Sequence, residues 1–235
     1  MENTILTFNG KVAGKISAII GTGLIVQFIV RYFGQEYVSF DGFHTVIFFS
    51  RLLIPILVAY FLGLSLSDLG LSMPTGGKKW VGGFLFLLGL ITVAVFWGIS
   101  LESTYKFYLV KYGALRNAQV AFVKLSLLFT FSTTLPWEFF HRGFLLFGLQ
   151  KSLSEALPSE DSGFVLSGFL AMMFLWVFEV IFHFSKPAPE AFGMAIVSIA
   201  LSYVALISRS ILYPLLLHVY IELVFLVAVV MIVLK

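Results

Sequence analysis

Seven ionisable side chains in the second half of the chain lie in or beside long apolar stretches. They are Glu138, His141, Arg142, Glu179, His183, His218 and Glu222. Carboxylates and imidazoles are the side chains that most often transfer protons in enzymes, and both also bind metal ions. These residue types therefore predict either water activation for hydrolysis or a metal site.

The spacing of the seven residues places them on three helix faces. The first three stand at positions i, i+3 and i+4, so they project from one side of a helix. The other four form two pairs at i and i+4. Pro136 and Pro214 precede two of these faces, and each removes a backbone N–H and can open the helix locally.

The cost of placing charges in lipid argues that these faces converge. A charged side chain at mid-membrane costs about 2.5–3.5 kcal/mol on the insertion scale. Three glutamates and one arginine would cost about 10 kcal/mol, which is comparable to the whole stability of a typical domain. Such groups are tolerated when they contact each other or line a water-filled cavity. We therefore expect one functional site.

Each face also has a purely structural interpretation. A pair at i and i+4 such as Glu138–Arg142 is often only a structural ion pair. A lone histidine in a membrane helix often serves packing through a hydrogen bond. Glu179 could face the bundle interior or a wet vestibule at the helix end. The coincidence of three such faces in one half of the chain favours a functional site.

The composition predicts which kind of element carries these faces. Of 235 residues, 60% are hydrophobic and 11% are charged, whereas a soluble domain has about 25% charged residues. The outer surface must therefore face lipid, which excludes a secreted enzyme, a cytosolic Rossmann enzyme and a nucleic-acid binder. The absence of cysteine excludes disulfides, thiolate zinc sites, cysteine nucleophiles and iron–sulfur clusters.

The long apolar runs lack the alternation of a barrel and predict an all-α, polytopic transmembrane helix bundle of seven to eight spans. The runs are Ile16–Phe33, Thr45–Leu64, Trp80–Ile99, Ala118–Leu135, Phe164–Phe182, Ala191–Ile207 and Ile211–Leu234. A further stretch, Trp137–Leu149, is either a continuation of the fourth run, kinked at Pro136, or a separate short helix.

We expect one integral membrane domain over residues 1–235, in which spans at about 16–99 form a scaffold and spans at about 118–234 carry the site. The expected location is the cell membrane (inner or plasma), crossed several times, because the N-terminus lacks a transit-like pattern. Three basic residues of the first half are expected to snorkel or face water near span ends. They are Arg31, His44 and Arg51.

At these residues the chain resembles the CPBP family of intramembrane proteases, also called the Abi or CAAX-protease family. That family carries E-E-x-x-x-R, then F-x-x-x-H in a later helix, then H-x-x-x-N or H-x-x-x-D near the C-terminus. The corresponding segments here are Trp137–Arg142, Glu179–His183 and His218–Glu222, in the same order. Leu66–Leu71 resembles the S-x-x-D-L-G-L loop of the family. The resemblance runs from about residue 50 to the end.

Three positions depart from the pattern of the family. Trp137 stands where the family has its first glutamate, the residue usually assigned as catalytic base. Glu179 replaces the phenylalanine of the second motif, and Glu222 replaces the asparagine or aspartate of the third. Either Glu138 has taken over the role of the base, or the chain has lost protease activity.

The resemblance implies an intramembrane endopeptidase that hydrolyses a peptide bond near or within the membrane through a water activated by glutamate and histidine. Glu138 would be the general base, His183 would position or co-activate the water, and His218 would donate to the oxyanion. Arg142 would pair with Glu138 or a neighbouring acid. Glu222 would either donate when protonated or orient His218.

The spacing of the polar residues adds two members to the candidate site. His141 and Glu179 are additional candidates for the site. The resemblance implies a peptide or lipidated peptide substrate and membrane lipid as partners, and the composition excludes nucleic acid.

Two other functions are compatible with the sequence. One is a catalytically inactive homologue that acts as a membrane partner protein, which the tryptophan at position 137 favours. The other is a metal-dependent membrane enzyme or transporter. Its divalent ion, the one cofactor that the sequence leaves open, would be held by Glu138, His183 and His218.

Overall fold

The computed structural model describes residues 10–36, 45–75, 81–157, 161–183 and 186–235. The chain is predominantly helical over these ranges, and no strand occurs in them. The helices are α1 (Gly10–Glu36), α2 (Thr45–Phe61), α3 (Val81–Ser100), α4 (Glu102–Tyr112), α5 (Gln119–Ser154), α6 (Asp161–Phe182), α7 (Ala188–Ser208) and α8 (Leu212–Val233). The prediction of an all-α fold is confirmed for the described ranges.

Within those ranges, six helices are long and apolar enough to cross a membrane, namely α1, α3, α5, α6, α7 and α8. Helix α2 is apolar but shorter. The stretch Trp137–Leu149 does not form a separate helix, because it continues the fourth apolar run inside the 36-residue α5. The structure therefore supports a multi-pass membrane protein, and the count of seven to eight spans is not confirmed.

The outward faces of the long helices carry large apolar side chains. Examples are Leu24, Phe28, Phe86, Phe131, Phe192 and Met231, all exposed. A soluble protein rarely exposes so many large apolar groups on every side, whereas hydrocarbon solvates them well. The distribution of exposed side chains thus agrees with the composition.

Helix α5 changes its winding where it enters the centre of the bundle. Pro136 lies inside the helix and has no N–H to donate to the preceding turn. The next segment, Phe139–Phe147, is wound as a π-helix, and all nine of its residues are buried. It packs against α1, α2, α6 and α7. π-helical segments are rare in proteins, and those that occur are often found at functional sites. This one indicates that the middle of the bundle is a candidate functional site.

The loop after α2 is fastened to the turn between α7 and α8. The amide of Ile211 donates to the carbonyl of Gly70 at 3.0 Å. The hydroxyl of Ser210 donates to the carbonyl of Ser72 at 2.6 Å, and the amide of Thr75 donates to the carbonyl of Ser208 at 2.9 Å. These bonds hold the start of α8 against a loop from the first third of the chain.

The same loop is closed on itself by Asp68. Its Oδ2 accepts the amide of Ser65 at 2.9 Å and the hydroxyl of Ser65 at 2.6 Å. Partial burial raises the pKa of Asp68, but the Ser65 hydrogen bonds and the charge of Lys151 outweigh that and leave the pKa below its usual value. The carboxylate therefore acts as a local cap that keeps the loop compact.

Replacing Gly70 by alanine is expected to destabilise the protein more than replacing Gly63. Both glycines have positive φ, 68° and 69°, so alanine strains the backbone at both positions. A Cβ at Gly70 would also lie 2.3 Å from Cε2 of Phe147, whereas a Cβ at Gly63 meets no atom of the described residues within 4 Å.

We expect a loss of about 1 kcal/mol for Gly63→Ala and about 1–3 kcal/mol more for Gly70→Ala. Thermal unfolding of the two variants in detergent, relative to the wild type, measures the difference. Equal unfolding midpoints would show that the Phe147 contact does not constrain this loop.

Candidate functional site

Helices α5 and α6 meet through one arginine that is shared by two carboxylates. Nη1 of Arg142 donates to Oε1 of Glu138 at 2.9 Å, and Nη2 donates to Oε2 of Glu179 at 3.1 Å. The exposed fractions of Glu138, Arg142 and Glu179 are 0%, 1% and 4%. The i, i+4 pair predicted within α5 is therefore present, and it extends to a third charge on another helix.

Because Glu138, Arg142 and Glu179 are buried, each charge is stable only while the other two are present. Removing two charges from water costs several kcal/mol per ion, and only close pairing with good hydrogen bonds compensates for that cost. Because Glu179 reaches Arg142 only when α6 is packed on α5, the ion triad ties the energetics of the site to the packing of these two helices.

Helix α8 brings a histidine to the Glu138 oxygen that Arg142 also contacts. Nδ1 of His218 lies 2.5 Å from Oε1 of Glu138, so this oxygen contacts both a guanidinium and an imidazole. Nε2 of His218 lies 3.7 Å from Oε1 of Glu222, whose side chain is 34% exposed. Glu222 therefore stands at the edge of the site, one helical turn from His218.

Two further histidines have one ring nitrogen tied to the backbone. Nδ1 of His183 lies 2.8 Å from the carbonyl of Glu179, and Nδ1 of His141 lies 2.9 Å from the carbonyl of Trp137. Because a carbonyl only accepts, Nδ1 is the protonated nitrogen in both rings. Nε2 of neutral His141 thus accepts from the side-chain amide of Gln27 at 3.3 Å, and Nε2 of neutral His183 carries a lone pair.

The indole of Trp137 lies among the three described histidines. Its ring stacks on His141 with 4.2 Å between centroids, and it meets His183 and His218 edge-on at 6.1 Å and 6.2 Å. Trp137 is therefore part of the site. Its ring fills space between the imidazoles.

Arg51 contradicts the expectation that it faces water near a span end. Its exposed fraction is 2%, and its guanidinium carbon lies 4.3 Å from the ring centroid of Trp137. The physical reason is that α2 packs against the π segment of α5, which covers the side chain. Arg31 is exposed, as expected, and His44 lies outside the described residues.

Gln27 and Arg51 are the two site residues that the sequence analysis did not identify. Arg51 is the single charged residue in the apolar run Thr45–Leu64, and Gln27 is the single amide in the run Ile16–Phe33. A rule that flags every isolated polar group inside an apolar run would have found both. Both come from the half of the chain that was expected to serve only as scaffold.

A second polar cluster joins α4 to the start of α7. The hydroxyl of Tyr108 donates to Oε2 of Glu190, and Nζ of Lys186 donates to Oε1 of Glu190 at 2.9 Å. Burial raises the pKa of the Tyr108 hydroxyl, and the charge of Glu190 raises it further, with a smaller contribution from Glu222. The ring of Tyr108 also contacts Phe225 of α8 edge-on at 5.0 Å between centroids, so the cluster packs against the helix that carries His218.

The donor set does not fit a divalent metal ion. In the part of the chain that the structure describes, no three or more His, Asp or Glu side chains are grouped so as to hold one. Oε1 of Glu138 already contacts Arg142 and His218, and the guanidinium stands between two carboxylates where a cation would otherwise bind. A metal held by Glu138, His183 and His218 therefore does not match this arrangement.

The structure thus brings most of the predicted residues together. Four of them form one connected group of contacts: Glu138, Arg142, Glu179 and His218. His141 and His183 flank Trp137 and join this group through it, and Glu222 lies at its margin.

Replacing Arg142 by methionine is expected to lower the free energy of unfolding by about 3–5 kcal/mol, because two buried carboxylates lose their shared cation. Lys106→Met is the matched control. Lys106 pairs with Glu102 at the same i, i+4 spacing, but the two side chains are 70% and 81% exposed, so its loss should cost less than about 1 kcal/mol. Denaturant unfolding in mixed micelles measures both variants, and similar losses would contradict the energetic importance of burial here.

Comparison of the chain with models of known protein families gives no match, and comparisons with characterised proteins and with solved structures give none either. The geometry of the site therefore carries the functional argument, and the family resemblance of the motifs stays a prediction.

Proposed function

We propose that this chain is an intramembrane endopeptidase of the CPBP type, which hydrolyses a peptide bond with a water activated by Glu138 and histidine. One observation carries the proposal: Glu138 is fully buried in an apolar bundle, contacts His218 at 2.5 Å, and keeps its second oxygen, Oε2, without a hydrogen-bond partner among the described residues. A buried carboxylate held by one oxygen and free at the other is suited to take a proton from water.

In the proposed hydrolysis, Glu138 carries one proton from water to the leaving nitrogen. Oε2 of Glu138 takes a proton from water, and the resulting hydroxide attacks the carbonyl carbon of the peptide bond. As the C–N bond breaks, the same carboxyl group returns the proton to the leaving nitrogen, so the products are a carboxylic acid and an amine. Nε2 of His183, whose Nδ1 is held by the backbone, accepts a hydrogen bond from the attacking water.

His218 is proposed to stabilise the oxyanion. Both of its ring nitrogens face carboxylates, Nδ1 toward Glu138 and Nε2 toward Glu222, which suits a doubly protonated ring. Nδ1–H then holds Glu138 in place, and Nε2–H donates to the developing negative charge. One such donor contributes about 2.7–4 kcal/mol to catalysis. Glu222 keeps Nε2–H oriented before the substrate arrives.

The proposed substrate and location follow from the surroundings of the site. The site lies within a helix bundle whose outer surface is apolar. A peptide or lipidated peptide would therefore reach it from the membrane. The proposed location is the cell membrane.

A second candidate function is a membrane partner protein without catalysis, and Trp137 favours it. The indole and the Arg51 guanidinium stacked on it fill the place between three imidazoles. In the family pattern a glutamate stands at this position, so the tryptophan could displace the reacting water.

Glu138→Gln, His183→Ala and His218→Ala are each expected to reduce peptide cleavage by about 10²–10⁴-fold, because each removes a proton-transfer or stabilising group. The measurement uses proteoliposomes that contain the purified protein and a pool of membrane-anchored reporter peptides, with products identified by mass spectrometry. Glu102→Gln, an exposed carboxylate on α4, is the matched control and should cleave like the wild type.

The two candidate functions give different results in this assay. Unchanged cleavage in all three variants would make the catalytic proposal wrong. If the wild type cleaves nothing while Trp137→Glu gains cleavage, the protein is the non-catalytic partner and the tryptophan is the cause.

A further inference from the structure

Arg51 is a buried cation that the proposed chemistry does not use. Its exposed fraction is 2%, and within the described ranges no carboxylate lies within ion-pair distance of it. Nε and Nη2 of its guanidinium have no hydrogen-bond partner there. A buried charge without a partner is costly, so such a group usually serves a ligand or a reaction.

The two unpartnered nitrogens of Arg51 belong to the same edge of the guanidinium. An arginine presents planar pairs of N–H groups, and the pair formed by Nε and one Nη matches the two oxygens of a carboxylate. Glu138 and Glu179 each bind Arg142 through one oxygen, and in the described ranges neither lies within ion-pair distance of Arg51. Nε and Nη2 of Arg51 therefore have no carboxylate partner among the described residues.

Stacking fixes the plane of this guanidinium. Its central carbon lies 4.3 Å from the ring centroid of Trp137 and 5.6 Å from that of Phe182. Guanidinium groups stack on aromatic faces while their edges stay free for hydrogen bonds. The rings thus hold the cation beside the imidazoles that flank Trp137.

A lateral groove between α1 and α6 shares Phe182 with the rings that stack on Arg51. It has a volume of about 540 Å³ and is mainly apolar, and its walls include Phe28, Phe178 and Phe182. Phe182 is also one of the two rings under Arg51. Gln27, which contacts His141, lines the same groove. Phe182 therefore borders both the groove and the guanidinium of Arg51.

We propose that Arg51 binds a carboxylate of the peptide substrate and so determines which peptides the site accepts. This inference rests on the proposed peptidase function and adds a specificity-determining residue to it. The carboxylate is either the C-terminal group of the peptide or the side chain of an acidic residue. The preferred substrate is thus an apolar peptide that carries one negative charge near the bond to be cleaved.

The test uses the hexapeptide N-acetyl-Leu-Ala-Glu-Leu-Ala-Leu in four forms: with both carboxylates, with Gln in place of Glu, with a C-terminal carboxamide, and with both changes. Equilibrium dissociation constants are measured in nanodiscs of neutral phosphatidylcholine, in the Glu138→Gln background, where the peptides stay intact. We expect the form with neither carboxylate to bind about 10–100-fold more weakly than the form with both. The two singly changed forms identify which carboxylate Arg51 binds.

Variants of Arg51 supply the matched comparison. Arg51→Gln should bind all four forms with equal, weak affinity, and Arg51→Lys should keep only part of the discrimination, because an ammonium lacks the two-pronged edge. Lys124→Gln removes an exposed cation about 20 Å along α5 from Trp137 and should leave the discrimination unchanged. If Arg51→Gln does not fold, the comparison of the starting background with Arg51→Lys still tests the proposal. The background should discriminate among the four peptides, and Arg51→Lys should discriminate less.

Several results overturn the inference. Equal affinity of the starting background for all four peptides, no measurable binding of any of them, or undiminished discrimination in Arg51→Gln would each do so. Failure of the peptidase proposal looks different: carboxylate-dependent binding through Arg51 would persist while the wild type cleaves none of the bound peptides.

Discussion

The guanidinium of Arg142 is the charge on which the centre of this molecule depends. It is shared by two carboxylates that belong to different helices, and all three groups are withdrawn from solvent. In an apolar interior such charges are stable only together, so the geometry of α5 against α6 cannot relax without separating them. His218 then adds α8 to the same centre through the oxygen that Arg142 also contacts.

The backbone of α5 is shaped to allow this concentration of contacts. A regular helix at a bundle surface buries one stripe, whereas Phe139–Phe147 is buried on all sides by four neighbouring helices. The missing N–H of Pro136 and the π winding that follows turn successive side chains inward, among them His141 and Arg142. Trp137 stands at the junction of the two windings and touches residues from α2, α6 and α8.

The sequence predicted the helical fold and the contact between the charged faces for a simple reason. A carboxylate inside an apolar run needs a partner, so Glu138 and Glu179 had to meet cations or water. The local spacing also gave the Glu138–Arg142 pair. Local spacing could not predict the partner of Glu179. Arg142 is 37 residues away in the sequence, and only tertiary packing brings the two side chains together.

Other features were hidden from the sequence for related reasons. Arg51 is recognisable in the sequence as the single charged residue of its apolar run, but its burial arises from the packing of α2 on α5, which no local pattern indicates. The π winding has no residue signature of its own. The expected count of seven to eight spans was based only on the lengths of the apolar runs. In the described part of the chain, six helices are long enough to cross a membrane, and α2 is shorter than these.

The distribution of the charged partners along the chain has a consequence for biosynthesis. Glu138 and Arg142 leave the ribosome together as a self-compensating pair, but Glu179 follows 37 residues later and His218 follows 80 residues later. At about 5–20 residues per second, α5 waits about 2–8 s for the first of these partners and about 4–16 s for the second. During that interval Glu138 and Arg142 have each other but lack Glu179 and His218. The complete set of contacts at the centre can therefore form only after α8 has been made.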